Sequence, residues 1–149
     1  MIKTIEKVKF QQLVKPQSFT TSTTVLYNGV AATTVGYIDT QDFDEVIIEL
    51  NKGVFASGAI TDFTVVNSAA TDPSAATAVT DATFTQGTPS AHNAVEVMSL
   101  QCKNLLRYVW LKSDKSDDIN AAAIWSATAI LCGPDTVPTS ATLVVADLP

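Results

Sequence analysis

Between Tyr37 and Leu50 the chain reads YIDTQDFDEVIIEL, with Val46, Ile48 and Leu50 on one face of an extended segment and Glu45, Ile47 and Glu49 on the other. That two-residue period predicts a strand covering a core, entered through a polar turn at Asp39-Thr40-Gln41-Asp42. The theme returns at Leu106–Lys112 (LRYVWLK) and Ala121–Pro134 (AAAIWSATAILCGP). Strand patterning further predicts Thr24–Tyr27, Thr34–Ile38, Glu45–Leu50, Thr61–Val66, Ala82–Thr85, Ala94–Leu100, Ala122–Leu131 and Ala141–Val145. The separators carry turn chemistry: Asn28-Gly29, Asn51-Lys52-Gly53, Ser57-Gly58, Gln86-Gly87-Thr88-Pro89, Gly133-Pro134 and Val137-Pro138. Helical periodicity is scarce after residue 16. Many short strands at this spacing predict an all-β sandwich or barrel, and about eight in one domain fit a jelly-roll-like β-sandwich.

In Ala122–Leu131 the face Trp125, Ala127, Ala129 and Leu131 reads as core, large at the ends and small between, so that a facing sheet can interdigitate. In Leu106–Lys112 both faces are apolar. Tyr108 and Trp110 compete with Val109 and Leu111 for the interior, and the pattern leaves that choice open. Ser68–Thr80 is the longest stretch without strand character; Pro73 biases Asp72 away from helix and allows a short helical turn after it. Asp114–Asp118 is a second expected exposed loop.

A chain of 149 residues with 46% apolar content fits one domain able to bury ~68–70% of its unfolded surface. Charged residues are only 16%, against about 25% in an ordinary soluble domain. Such a surface suits a permanently assembled subunit, and also many secreted β-domains. The net charge of −6 is uneven: residues 1–15 hold four lysines against Glu6, a balance of +3, which leaves −9 on the rest. An acidic body is unsuited to a phosphate backbone, so no nucleic-acid partner is expected.

The boundaries expected are an extended N-terminal arm over 1–20 and a sandwich over 21–149. Two readings of the arm stand: a solvated terminus, or a segment lying on an acidic neighbouring subunit. The apolar residues Ile2, Ile5, Val8, Phe10, Leu13 and Val14 favour the second. Its contact residues would be Lys3, Ile5, Lys7, Val8, Lys9, Phe10, Leu13 and Lys15. Charges at positions 3, 6, 7 and 9 interrupt any export signal, and Ala121–Cys132 is too short to span a bilayer, so synthesis in the cytoplasm and no membrane partner are expected.

Chemistry-bearing residues are few. His92 is the single histidine, near Ser90, with no Gly-x-Ser-x-Gly elbow to expose a nucleophile. Cys102 and Cys132 abut hydrophobic strands and read as free, mostly buried thiols. Asp114, Asp117 and Asp118 supply carboxylates for calcium, but the EF-hand glycine and final glutamate are missing and Lys115 intrudes, so a solvated acidic turn is the simpler reading. Zinc spacing and a Gly-rich phosphate cradle are absent. No catalytic, metal or cofactor site is expected, and the chain does not read as an enzyme.

Two groups of motifs carry a resemblance. One is Tyr37, Asp39, Thr40, Phe43 and Asp44 leading into Val46–Leu50. The other is Arg107-Tyr108, the polar loop Ser113–Asn120, the Ala-rich strand Ala121–Leu131 and the exit Gly133-Pro134. Together, from Tyr37 to Pro138, they resemble small β-sandwich head proteins of tailed bacteriophages, among them capsid decoration, or cement, proteins. The resemblance implies a structural virion protein on the capsid exterior that bridges and stabilises major capsid protein subunits, as a homo-oligomer for which a trimer is the first expectation. The N-terminal arm and the Ser68–Thr80 loop depart from the family pattern. Alternatives are a neck, tail or baseplate subunit, or a carbohydrate-binding jelly roll, which would show exposed aromatics such as Tyr27 or Trp110 beside Asp or Asn.

Overall fold

The computed structural model describes residues 8–19, 24–27, 37–115 and 121–134. The predicted strand Ala141–Val145, the Asn28-Gly29 turn and most of Thr34–Ile38 lie outside them. Among the described residues nine strands form: β1 (Val8–Phe19), β2 (Thr24–Tyr27), β3 (Ile38–Asp39), β4 (Phe43–Phe55), β5 (Thr61–Ser68), β6 (Thr77–Thr83), β7 (Ala94–Gln101), β8 (Tyr108–Lys115) and β9 (Ala123–Pro134). The described residues are nearly all β, with two single-turn 3-10 segments at Pro73–Ala75 and Cys102–Asn104.

Among the described residues all pairings are antiparallel, in two sheets. Sheet A has the order β1-β9-β4-β7, and sheet B has β2-β8-β5-β6. The short β3 continues β2 along the same edge of β8. Taking β2 and β3 as one interrupted strand, eight strands run first-eighth-third-sixth in one sheet and second-seventh-fourth-fifth in the other. That nested order is the jelly roll, the architecture predicted from strand count and spacing.

The inner faces meet in one core. Val46, Ile48 and Leu50 of β4 and Trp125, Ala127, Ala129 and Leu131 of β9 are buried against Phe63 and Val65 of β5 and Val109 and Leu111 of β8. Trp125 ties the layers together, stacked on Phe19 at 4.7 Å and edge-on to Phe63 at 4.9 Å. Register resolves the competition in β8. Leu111 lies opposite Val65 facing the core, whereas Trp110 lies opposite Val66 on the other face and is also fully buried.

The largest departure from expectation is the arm. Val8–Phe19 is a strand paired with β9 from Val8–Cys132 to Phe19–Ala123, and Leu13 and Val14 are fully buried. Val8–Phe19 thus forms the β1 border of sheet A. Irregularities between Gln12 and Val14 and between Val14 and Gln17 break the alternation that would have marked a strand.

Two further corrections concern sheet edges. β6 covers Thr77–Thr83, not Ala82–Thr85, and takes up the end of the expected loop; Asp72 caps the preceding 3-10 turn by accepting from the Ser74 N–H at 2.9 Å. Asn51-Lys52-Gly53 is not a turn. β4 runs through it, and the reversal comes at Ser57-Gly58, where Gly58 takes a φ of 85°.

Running β4 through Lys52 turns that side chain inward, where it is 1% exposed. Its Nζ donates to Glu96 of β7 and, at 3.2 Å, to the Thr85 carbonyl, while the Thr85 N–H donates to the other Glu96 oxygen at 2.9 Å. This ring clamps the β6–β7 connection against sheet A. Gly87 continues the clamp, because a Cβ there would lie 2.4 Å from the Phe55 ring. Burial pushes the Glu96 carboxyl up, but the Lys52 ammonium and the Thr85 N–H outweigh it and hold it below the usual glutamate range. A depressed folded-state pKa contributes stability that is whole above about pH 4.3 and is lost as pH falls through the folded value. Glu96→Ala leaves Lys52 buried without its counter-charge and is expected to lose about 2 kcal/mol at pH 7, less than a fully buried pair because Glu96 is partly solvated. Adding Lys52→Met should restore most of it. Equal urea midpoints for wild type and Glu96→Ala would show that the clamp contributes nothing.

Candidate functional site

The two motif groups, separate in sequence, meet at one end of the sandwich. β3 pairs Asp39 with Tyr108, and Arg107 donates from Nε and Nη2 to the two Asp39 carboxylate oxygens at 3.0 and 2.8 Å. Those Arg107 hydrogen bonds hold the Asp39 carboxyl below the usual carboxylate range. Thr40 donates through both its backbone N–H and its hydroxyl to the Arg107 carbonyl, at 3.0 and 2.9 Å. Tyr37 packs edge-on to Tyr108 at 4.6 Å, and the Arg107 guanidinium lies 5.0 Å from the Tyr108 ring centre. The Gln41 N–H closes an Asx turn on Asp39, and Asp42 takes the left-handed conformation that leads into β4. Beside this junction an open groove of about 650 Å³ is lined by Phe43, Asp44, Gln101, Cys102, Lys103 and Leu105 among others. The motifs thus build a loop brace that positions the groove, since both Asp39 oxygens are already committed to Arg107.

The second feature is the outer face of sheet A. Register places Phe10, Ile130, Ile47 and Ser99 side by side across its four strands. The next row is Gln12, Thr128, Glu49 and Val97, and the row on the other side is Val8, Cys132, Glu45 and Gln101. Ile124 and Val95 extend the apolar surface toward the far end. Phe10 is 70% exposed and Val97 64%, while Glu45 and Glu49 are the charged side chains of these rows. The face offers a broad, weakly charged, β-branched surface suited to adhesion.

The expected contact residues divide accordingly. Lys9, Phe10 and Lys15 are exposed on β1 and Val8 is half-buried. Leu13 is fully buried, because the strand turns it into the core. Lys3, Ile5 and Lys7 lie outside the described residues. What the sequence reading missed is the row Phe10–Ile130–Ile47. Its signal was present in β4 and β9, whose outward positions are also apolar, but joining them required the register.

The chemical candidates do not converge. Ser90 shares a hydrogen bond of 3.1 Å with Thr88 across a turn. Cys102 is buried and Cys132 half-buried, both as thiols. Gln101, next to Cys102, and Cys132 both pair with Glu45 from opposite sides, so β4 separates them by two strand spacings, about 10 Å, too far for a disulfide. Burial, with Asp44 and Glu45 nearby, pushes the Cys102 thiol up to about 11, which disfavours the reactive thiolate. Asp114 sits on β8 with Lys112 at 3.8 Å, and the rest of the acidic loop is outside the described residues. Among the described residues no group of three or more His, Cys, Asp or Glu side chains could hold a metal ion. Trp110, a candidate sugar platform, is fully buried, and the Tyr27 side chain lies outside the description.

No protein-family model and no curated protein sequence matches the chain. Among solved structures it is similar to a chain of infectious bursal disease virus, Gx strain, with a TM-score of 0.47 and 11% identity over 85% of this chain and 32% of that one. It is also similar to the coat protein of tobacco streak virus, with a TM-score of 0.38 and 9% identity over 98% of this chain and 100% of that one. The chain thus spans about a third of the length of the bursal disease virus chain.

Proposed function

We propose that the protein is a structural virion subunit that binds the outside of a phage capsid and stabilises it by bridging major capsid protein subunits. The observation that carries this reading is the outer face of sheet A, where Phe10, Ile130 and Ile47 form an apolar row on a rigid sheet. The resemblance through Asp39-Thr40 and Arg107-Tyr108 supports it. The exposed β1 residues Lys9, Phe10 and Lys15, with Val8 beside them, would meet an acidic capsid surface, joined by Lys3, Ile5 and Lys7 from the segment before β1. The mechanism is adhesion: a subunit that binds only the assembled shell stabilises that shell by mass action. Several copies on one shell add avidity.

Phage heads prepared without the protein, then mixed with it, should show added density on their outer surface by electron microscopy and should survive to a higher temperature. Phe10→Asp is expected to weaken that binding at least tenfold while leaving the melting temperature of the isolated protein unchanged, since Phe10 contributes little to the core. Heads that show no added density and rupture at the same temperature would end the capsid reading.

A further inference from the structure

Among the described residues the two sheets have four borders, and three of them are blunted against further pairing. β1 carries two register shifts, Pro16, and the exposed Lys9 and Lys15. In sheet B, the border along β8 is split into β2 and β3, of four and two residues. β6 is broken by a register shift opposite Thr64–Val66 and by Asp81 at φ 59°. β7 has none of these devices. Its eight residues pair with β4 in an unbroken register from Gln101 to Ala94, and among the described residues β4 is its only neighbour. It contains no proline and no lysine, and its one charged side chain, Glu96, turns inward to Lys52. A long, regular edge of this kind presents a row of backbone N–H and C=O groups as a template for another strand.

We propose that β7 is a self-pairing edge, on which the β7 strand of a second copy docks antiparallel about a two-fold axis through Val97, joining two four-stranded sheets into one of eight. Charge selects this occupant. A chain of net charge −6 repels its own copy at most approaches, but the outward side chains of β7 are Val95, Val97, Ser99 and Gln101, all uncharged. Face alternation narrows the register, because a one-residue slip would set inward side chains against outward ones. Centring on Val97 sets it against its own copy, Val95 against Ser99 of the second copy and Glu96 against Met98 of the second copy, with no like charges opposed. Centring on Glu96 instead opposes two carboxylates, and centring on Met98 sets Val95 against Gln101. Such a contact is isologous and closes as a dimer, whereas a trimer needs a heterologous contact that a self-matched edge does not supply. The pairing does not depend on the capsid reading and can fail or hold without it.

Analytical ultracentrifugation of the full chain at tens of micromolar tests it. The expected mass is twice the 15.8 kDa of one chain. Val97→Lys, which places two like charges on the axis at an exposed position, should weaken dimerisation at least tenfold, and its melting temperature should match wild type when both are measured dilute enough to be monomeric. Val97→Cys should be joined to a second copy by a short bis-maleimide reagent in far higher yield than wild type or Val95→Cys. A wild-type chain of single or triple mass, or a dimer that Val97→Lys leaves intact, would overturn the proposal.

Discussion

Replacing Trp125 by alanine is expected to lower stability by about 3–5 kcal/mol, the range for truncating a buried aromatic. Trp125 is 2% exposed, stacks on Phe19 and meets Phe63 edge-on, so the cavity would open between the sheets where side chains of β1, β5 and β9 converge. Neighbouring Ala123 and Ala127 are too small to fill it. Urea titration followed by tryptophan-independent circular dichroism would give the shift in midpoint. A domain of this size holds only about 5–15 kcal/mol in total, so the variant should be close to its unfolding threshold at physiological temperature. A midpoint within experimental error of wild type would remove Trp125 from the centre of the core.

Deleting residues 1–15 is expected to be more severe still. It removes most of β1, including Leu13 and Val14, each worth roughly 1.5–3 kcal/mol in burial alone. It also strips the ladder from one side of β9, leaving the strand that carries Trp125 as a raw edge. The shortened chain should lose its cooperative melt or aggregate on expression. If residues 1–15 were only a docking arm, the deletion would spare the fold and reduce capsid binding alone. A truncated chain that melts sharply near the wild-type temperature would restore that view and remove β1 from the core.

The contrast between β4 and β1 shows where local pattern suffices. Val46, Ile48 and Leu50 alternate with Glu45 and Glu49, so the buried face of β4 is readable before any partner is known. β1 carries Lys9, Gln11, Gln12, Lys15 and Gln17 through a segment whose two adjacent apolar residues, Leu13 and Val14, are both buried. Its irregular pairing allows this, and the same irregularity hides the two-residue period. The cluster of lysines then suggested a tail, when Lys9 and Lys15 instead decorate the exposed side of an edge strand. The bounds of β6 escape local pattern for a related reason: it is exposed along most of its length and shows little apolar signal.

At the candidate site, the residues of the Asp39–Arg107 brace were readable as motifs, but their meeting was not. Asp39 and Arg107 join only because β3 and β8 pair. Lys52 gives the sharpest case. In Asn-Lys-Gly it looks like turn chemistry, and its burial makes sense only with Glu96 brought alongside by β7. The same holds for the row Phe10–Ile130–Ile47, three residues from three distant segments.

The chain by itself thus determined an all-β domain, the inward faces of β4 and β9, and the turns at Asp39–Asp42 and Ser57-Gly58, because face and turn preference are written in the nearest few residues. Only the tertiary structure decided that β1 belongs to the core, that Trp110 and Leu111 are buried on opposite faces, and that Lys52 has a counter-charge. Those outcomes depend on which strands become neighbours, and strand pairing joins residues far apart in sequence whose match no short window contains.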